Sequence, residues 1–289
     1  MFASSIKSIF LLAAAAVALP TSGSNQTKPF IWDGGAVSQF PIHSSCNATQ
    51  RRQIEVGLSE AVFLAAHARD HILRWRNESE IYRKYFGDSP SMEPIGAYDV
   101  VVNGDRKHSL FRCDNPDGNC DIEDYAGHWR GENGTDETVI CDLSYETRRS
   151  LSTMCSLGYT VSGSETNTFW ASDLLHRLFH VPTFGQNHID HFADGYEEVV
   201  DQAIENVTLS THDSETLQYF ALEVYAYDIA VPGVGCPGKQ HEHEHSSENS
   251  SSQSTSTSAG TSAATEAATT TSDAPKNCHT HEGGELHCT

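Results

Sequence analysis

Two histidines lie four residues apart in the apolar, helix-favouring stretch at 173–180, whose sequence is DLLHRLFH. Residues at i and i+4 lie one above the other on a helix face, so His176 and His180 can reach the same metal ion. Zinc accepts such nitrogen ligands in a tetrahedral site and usually takes a further ligand from elsewhere in the fold. The spacing therefore predicts a zinc site on this helix.

The residue after the first histidine separates this stretch from the zinc protease helix H-E-x-x-H. In that motif a glutamate deprotonates the zinc-bound water, whereas here Arg177 occupies its position. A guanidinium stays protonated in proteins and cannot act as a general base. We therefore expect the metal-binding geometry without the hydrolytic base.

The segment after the helix offers a third ligand. It passes through Pro182 and Gly185 and then presents Asp190, His191 and Asp194. A ligand one short loop beyond the second histidine is the usual arrangement in zinc proteases of the zincin type. The residues leave the choice among the three open, and His191 would complete a three-histidine site.

Two histidine-rich islands lie in the C-terminal part of the chain: the run HEHEH at 241–245 and the terminal stretch at 278–288. Short tracts rich in histidine and cysteine are typical of metal sites. The two terminal cysteines could bind zinc as thiolates or close a disulfide, which an oxidising compartment favours. The ligand candidates in the terminal island are Cys278, His279, His281, His287 and Cys288.

The N-terminus predicts export. Residues 1–19 combine the basic Lys7 with an apolar run too short to span a bilayer, which is typical of a signal peptide. No later segment is long and apolar enough to span one, so we expect no membrane insertion. Six Asn-x-Ser/Thr sequons predict a secreted, extracellular glycoprotein: Asn25, Asn47, Asn77, Asn133, Asn206 and Asn249.

Eight cysteines in an exported chain predict disulfide bonds. Cys113 and Cys120 flank the hexapeptide DNPDGN, whose composition is that of a turn. We therefore expect these two to pair, and the sequence assigns no other pair.

The formal net charge is −21, and the chain contains 16 histidines. Nucleic acid and anionic lipid require a positive protein field, so this charge excludes them as partners. An acidic surface instead attracts cations.

Hydrophobic periodicity predicts a mainly helical α+β domain at 25–236. Beyond it, the Ser-, Thr- and Ala-rich residues 237–277 predict a disordered linker carrying the HEHEH run, followed by the metal-binding tail at 278–289. His67 and His71 are interpreted as packing or surface residues of the first helix. The pattern predicts helices at 49–77, 168–181, 196–206 and 214–229, and strands at 98–102, 125–129 and 138–141.

The chain resembles the fungal pH-regulated antigens, secreted zinc-scavenging proteins (zincophores) that include a major mould allergen. The resemblance covers residues 33–236 and the tail islands, and is most specific in HRLFHVP at 176–182 and DHFADGY at 190–196. It implies release at neutral-to-alkaline pH or under zinc starvation, and return of bound zinc to a cell-surface transporter. It further implies association with the cell wall or surface, and contact with host complement regulators.

That family is in turn similar to the deuterolysin-like (aspzincin) metalloproteases, whose zinc is held by two helix histidines and a following aspartate. The similarity implies a zincin-like fold with His176 and His180 as the first two ligands and, by the closest analogy, Asp190 as the third. Arg177 stands where the family of proteases has its catalytic glutamate, which puts protease activity in doubt.

Three functions remain open from the sequence. The first is zinc capture, in which the flexible tail exchanges metal. The second is an active metalloprotease in which Tyr196, Glu197 or Glu198 replaces the missing base. The third is a binding or adhesion protein whose zinc only stabilises the fold. Copper and nickel bind histidine clusters as well as or better than zinc, so the metal is also open.

Overall fold

The computed structural model describes residues 30–239 and the backbone of 278–280 and 286–288. The predicted signal peptide, the linker from residue 240 onward with its HEHEH run, and His281 lie outside the described residues. The chain divides into two units, at 1–35 and 36–289. In the first, residues 30–35 include a turn in which the Gly34 N–H donates to the Ile31 carbonyl at 3.0 Å.

Helices and helical turns make up most of the described part of the second unit. The α-helices are α1 (Ala48–Trp75), α2 (Glu80–Phe86), α3 (Met92–Asn103), α4 (Asp142–Thr147), α5 (Trp170–His180), α6 (Pro182–Gly185), α7 (Gly195–Glu205), α8 (Val207–Ser210) and α9 (Ser214–Tyr225). A π-helical turn, Ala226–Ala230, continues α9. Short 3₁₀ turns lie at Arg76–Glu78, Asn119–Asp121, Gly131–Asn133, Leu151–Thr153, Val161–Gly163 and Thr166–Thr168. The helices predicted at 49–77, 168–181, 196–206 and 214–229 correspond to α1, α5, α7 and α9.

The sheet is small. Strands β1 (Leu110–Arg112), β2 (Gly127–Trp129) and β3 (Glu137–Ile140) lie in the order β1-β3-β2, with β3 parallel to β1 and antiparallel to β2. A separate antiparallel pair joins β4 (Cys278–Thr280) to β5 (Leu286–Cys288). The prediction of a mainly helical α+β protein is confirmed. Within the described part of the chain, no helix is both long and apolar enough to cross a membrane.

Helix α1 is the packing platform for the helix that carries the two histidines. Its N-terminus is closed by a capping box, in which the Asn47 side chain accepts the Gln50 N–H and the Gln50 side chain accepts the Asn47 N–H. Gly57 lies where α5 crosses, and a Cβ there would lie 2.8 Å from Leu174 Cδ1 and 2.9 Å from Trp170 Cβ. The missing side chain therefore allows the close approach of α5.

The predicted strand at 98–102 is wrong, because these residues belong to helix α3. Tyr98 and Val101 are both buried, and the Tyr98 hydroxyl donates to the Leu217 carbonyl at 2.7 Å. Pro94 lies in the first helical turn, where proline is tolerated. The strand preference of a β-branched run is mainly a preference for a half-buried pleated surface. Packing against other helices overrides it here.

The predicted Cys113–Cys120 disulfide is also wrong. The structure pairs Cys46 with Cys113, Cys120 with Cys141, and Cys155 with Cys236. The turn between Cys113 and Cys120 is closed instead by a hydrogen bond, from the Cys120 N–H to Asn115 Oδ1 at 3.0 Å. Each cysteine pairs with the partner that tertiary packing brings to it, and turn composition carries no information on that packing.

The two histidines of α1 join it to the π-helical turn. His71 Nδ1 lies 2.7 Å and His67 Nε2 3.0 Å from the same oxygen of Asp228, and His71 Nε2 lies 2.8 Å from Ser79 Oγ. Burial lowers the pKa of His71, against the opposing effect of Asp228. This pairing assigns both histidines a packing role.

Gly57→Ala tests the close contact between α1 and α5. Alanine normally stabilises a helix interior relative to glycine, but here its Cβ overlaps Leu174 and Trp170, so we expect a loss of about 1–3 kcal/mol in unfolding free energy. Gly96→Ala in α3 is the matched control, because its Cβ meets nothing within 4 Å. That change should stabilise by about 0.5–1 kcal/mol. Equal stabilisation in urea titrations of both variants would contradict the packing described.

Candidate metal centre

Three imidazoles converge beside α5. His176 and His180 come from the helix and His191 from the segment that follows α6. His180 Nε2 lies 3.1 Å from His176 Nε2 and 3.0 Å from His191 Nε2. His176 is buried, whereas the other two are half-buried. The three rings therefore direct their Nε2 atoms to one point that is accessible from one side.

The spacing of these nitrogen atoms fits a tetrahedral metal ion. Bonds of about 2.0–2.1 Å at tetrahedral angles place neighbouring zinc ligands about 3.3 Å apart. The observed separations of 3.0 and 3.1 Å are close to this value. Three neutral imidazoles would hold the ion and leave a fourth position for an exchangeable ligand.

A buried amide orients the first histidine. His176 Nδ1 lies 2.9 Å from Gln218 Oε1 on α9. The Gln218 amide nitrogen donates to Asn167 Oδ1 and to the Ser172 carbonyl, each at 3.0 Å, so its oxygen must face the histidine. His176 therefore carries its proton on Nδ1, and the Nε2 lone pair faces the metal position. Such outer hydrogen bonds tune ligand orientation and basicity in metal sites.

Asp213 positions both halves of this site. Its Oδ1 accepts the backbone N–H groups of Phe192 at 2.8 Å and Ala193 at 3.2 Å, next to His191. Its Oδ2 accepts the N–H and hydroxyl of Thr216, both at 2.7 Å, and thereby caps α9. Burial raises the pKa of Asp213, and the four hydrogen bonds oppose that shift.

Further contacts fix the loop that carries His191. The Asp190 N–H donates to the His212 carbonyl at 3.1 Å, and the Ser214 N–H donates to the Asp190 carbonyl at 2.9 Å. Ser214 Oγ lies 3.3 Å from His191 Nδ1. The third histidine is thus held by the same residues that begin α9.

Arg177 belongs to a buried ion cluster. Its Nε and Nη2 donate to the two oxygens of Asp173 at 2.9 and 3.0 Å, and Arg148 donates to the same carboxylate at 2.9 Å. All three side chains are at least nine-tenths buried. Burial alone would raise the pKa of Asp173, but the charges of Arg148 and Arg177 outweigh it and lower that pKa. A guanidinium held in this way has a structural role and supplies no base.

The remaining candidates from the loop have other contacts. Asp190 is exposed, and its Oδ1 accepts the His191 N–H at 2.9 Å, so the three-histidine group does not include it. The Asp194 N–H donates to Glu198 Oε2 at 2.9 Å, and Asp194 lines a cavity of about 440 Å³ with Glu197. Of the three candidates for the third ligand, His191 is the one grouped with His176 and His180 among the described residues.

Tyr196 contacts residues of α2 and α9. Its hydroxyl lies 3.3 Å from Lys84 Nζ, and its ring packs edge-on against Tyr85 and Tyr219. Neither it nor the neighbouring glutamates, Glu197 and Glu198, belongs to the group of metal-ligand atoms among the described residues.

The terminal island is described only in its backbone. Cys278 lies opposite Cys288 and His279 opposite His287 in the antiparallel pair of β4 and β5. Residues directly opposite in such a pair have Cα atoms about 4.5–5.5 Å apart, which lies within the range that disulfides span.

Sequence reasoning missed the residues that support the centre. Gln218 lies on α9, which is buried along its whole length, and a polar amide in a buried helix is a usable signal for a second-layer contact. Asp213 caps α9, and no pattern in the sequence shows that the same carboxylate also holds the loop of His191.

Three converging imidazoles, oriented by an amide and without the glutamate of H-E-x-x-H, form a candidate histidine-type metal centre. The chain belongs to the family described as "HRXXH: Putative peptidase family", whose model matches residues 1–239. Arg177 is the R of that name.

Named relatives agree with this assignment. The chain is 68% identical over 271 residues to "Major allergen Asp f 2" of Aspergillus fumigatus, covering 90% of this chain and 87% of the relative. It is 53% identical over 208 residues to "pH-regulated antigen PRA1" of Candida albicans, covering 72% and 70%. The resemblance to the fungal pH-regulated antigens is confirmed.

A solved zinc peptidase from Grifola frondosa is similar with a TM-score of 0.46 and 13% identity, over 62% of this chain and 97% of that chain.

Asp213→Asn tests whether one carboxylate holds the two halves of the site. An amide has a single oxygen, so it can accept either from the loop or from α9, and we expect a loss of about 1–3 kcal/mol in unfolding free energy. We also expect the tightest zinc affinity to fall about 10–100-fold, as for other outer-layer contacts.

Asp105→Asn is the matched control for this change. Its Oδ1 alone accepts both the Val37 N–H at 2.8 Å and the Lys107 N–H at 3.0 Å, so an amide oxygen can keep both bonds. Urea unfolding and chelator competition should leave this variant nearly unchanged. An Asp213→Asn protein that behaves like the control contradicts the account.

Proposed function

We propose that this protein is secreted, captures extracellular zinc and does not hydrolyse peptides. The observation that carries the proposal is the combination at α5: three Nε2 atoms at zinc spacing, and an arginine sealed in an ion cluster where a protease has its base. Compared with the protease motif, the site can still bind a cation but lacks the glutamate that would activate a water molecule.

Secretion is supported by two observations. Three disulfides join the six cysteines between Cys46 and Cys236, and such bonds persist in oxidising compartments. Four of the six sequon asparagines are described, and all are exposed, as glycan attachment requires: Asn47, Asn77, Asn133 and Asn206.

We propose that the C-terminal tail binds the zinc ions that exchange rapidly. The opposed positions of Cys278 and Cys288 favour a disulfide over thiolate ligands, which would leave the tail imidazoles to bind metal. Delivery to a cell-surface zinc transporter, attachment at the cell surface and contact with host complement proteins complete the proposal. These rest on the resemblance to the pH-regulated antigens.

A competition titration with a chromophoric zinc chelator tests whether the tail and the three-histidine centre bind different zinc ions. The full chain should bind several exchangeable ions. A variant with asparagine at every tail histidine should lose the exchangeable ions and keep the tight one; the positions changed are His241, His243, His245, His279, His281 and His287. His180→Asn should instead lose the tight ion. Full-length variants are needed, because ending the chain before Cys236 would break its disulfide with Cys155. A single non-exchanging ion, unaffected by the tail changes, contradicts zinc capture.

Zinc affinity should fall steeply between about pH 7 and pH 5. Protons compete with zinc for imidazole nitrogen atoms, whose ordinary pKa is about 6.5, so a lower pH fills the ligand lone pairs. The same titration repeated across this range measures the effect. A zinc affinity that is unchanged at pH 5 would contradict binding by histidine.

A proteolysis assay with and without a metal chelator addresses the competing function. The proposal predicts no chelator-sensitive cleavage of an unfolded protein substrate, for the chain as it stands. Chelator-sensitive cleavage that disappears in His180→Asn identifies the protein as a metalloprotease that uses another base.

A further inference from the structure

A second group of metal-binding side chains lies away from the three-histidine centre. Glu93 is in the first turn of α3, His188 follows α6, and His212 comes shortly before α9. Their ligand atoms all lie within 4.8 Å of one another. Neither the family description nor the relatives' names assign a role to these three residues.

The two imidazoles meet at one carboxylate oxygen. His188 Nε2 lies 2.6 Å and His212 Nδ1 3.4 Å from Glu93 Oε1, and the two rings stack with their centroids 4.3 Å apart. The other Glu93 oxygen accepts the Thr211 hydroxyl, which fixes the carboxylate. Oε1 is therefore directed at the gap between the imidazole nitrogens.

We propose that Glu93, His188 and His212 form a second, surface-exposed site for a divalent cation of the zinc class. Two imidazoles and one carboxylate are a ligand set that zinc accepts. The separations of 2.6 and 3.4 Å bracket the roughly 3.3 Å expected between tetrahedral zinc ligands, so a small rotation of the exposed His188 completes the geometry.

An ordinary ion pair does not account for the third residue. His212 Nδ1 is buried and has no hydrogen-bond partner among the described residues, because its approach to Glu93 fails the geometry of a hydrogen bond. Buried polar nitrogen atoms are rarely left in this condition. The pair of His108 and Asp136, 2.7 Å apart, shows the simpler arrangement in which one histidine meets one carboxylate.

The exposure of its ligands should allow a cation to exchange rapidly at this site. The side chains of His188 and Glu93 are 57% and 41% exposed, so the remaining coordination positions face solvent. The three ligands border a cavity of about 200 Å³ that is also lined by Met92, Phe184 and Ile189. A cation held by three protein ligands at such a surface should bind more weakly than one at the buried His176.

One backbone bridge joins the two sites. Asp190 pairs with Asp213, so His188 and His212 lie on the N-terminal sides of the paired residues, and His191 and Ser214 lie on their C-terminal sides. The second site uses none of the ligands of the first. Its existence therefore does not rest on the proposed function.

Zinc protection against diethyl pyrocarbonate tests the site on the full chain. The modification of each histidine is followed by peptide mass spectrometry, with Zn²⁺ alone as the probe. We expect zinc to slow the modification of His188 in the unaltered protein. His108 is the matched control, since it is similarly exposed and carboxylate-paired but has no second imidazole, and zinc should leave its rate unchanged.

Variants then separate the second site from the first. Glu93→Gln keeps an oxygen for the Thr211 hydroxyl but removes the charge, and it should abolish the protection of His188. His212→Asn is a second route to the same loss, should the first variant fail to fold by circular dichroism. His180→Asn should leave the protection of His188 intact. Protection that is absent at zinc levels that protect His180, or that survives both Glu93→Gln and His212→Asn, overturns the proposal.

Discussion

The buried carboxylate of Asp213 is the interaction on which the metal centre depends. One oxygen holds the backbone beside His191 and the other caps the helix that carries Gln218, which orients His176. A carboxylate is needed because four donors must be satisfied by two oxygens that point in different directions. Burial disfavours its charge, so the hydrogen bonds have to offset a desolvation cost to keep it ionised. The second site shares the same support, since His212 immediately precedes this residue.

The other constraint is the buried cluster of Asp173, Arg148 and Arg177. Residues 173 and 177 share one face of α5, while His176 and His180 face the metal position. Removing one member of a buried ion pair typically costs about 3–5 kcal/mol, because it leaves a charge without a partner. A glutamate at 177 would place a second carboxylate beside Asp173, so we expect that substitution to destabilise α5. The identity of residue 177 is therefore tied to the packing of the helix.

Much of the helical framework could be predicted from the sequence, because hydrophobic periodicity marks the four helices α1, α5, α7 and α9. It reports the buried face of α1 and α7, whereas α5 and α9 are buried on almost every side. The pair of His176 and His180 followed from helical spacing alone. Elements whose secondary structure depends on tertiary contacts could not be predicted from local sequence patterns. Val100–Val102 prefer strands locally, yet they lie in a helix that packs on other helices.

Contacts between residues far apart in the sequence could not be predicted for the same reason. Cys113 is 67 residues from its partner Cys46, and Glu93 is 95 residues from His188. The grouping of His191 with the two helix histidines depends on the loop that Asp213 holds, 22 residues further along the chain. No local pattern in the sequence carries that information.

Zinc K-edge X-ray absorption on the full-length variant without tail histidines, loaded with one equivalent of zinc, tests the three-histidine centre most directly. The account predicts three imidazole nitrogen ligands at about 2.0–2.1 Å with one further light atom, and the loss of one imidazole in His191→Asn. Sulfur scattering near about 2.3 Å, or an imidazole count that His191→Asn leaves unchanged, would contradict it.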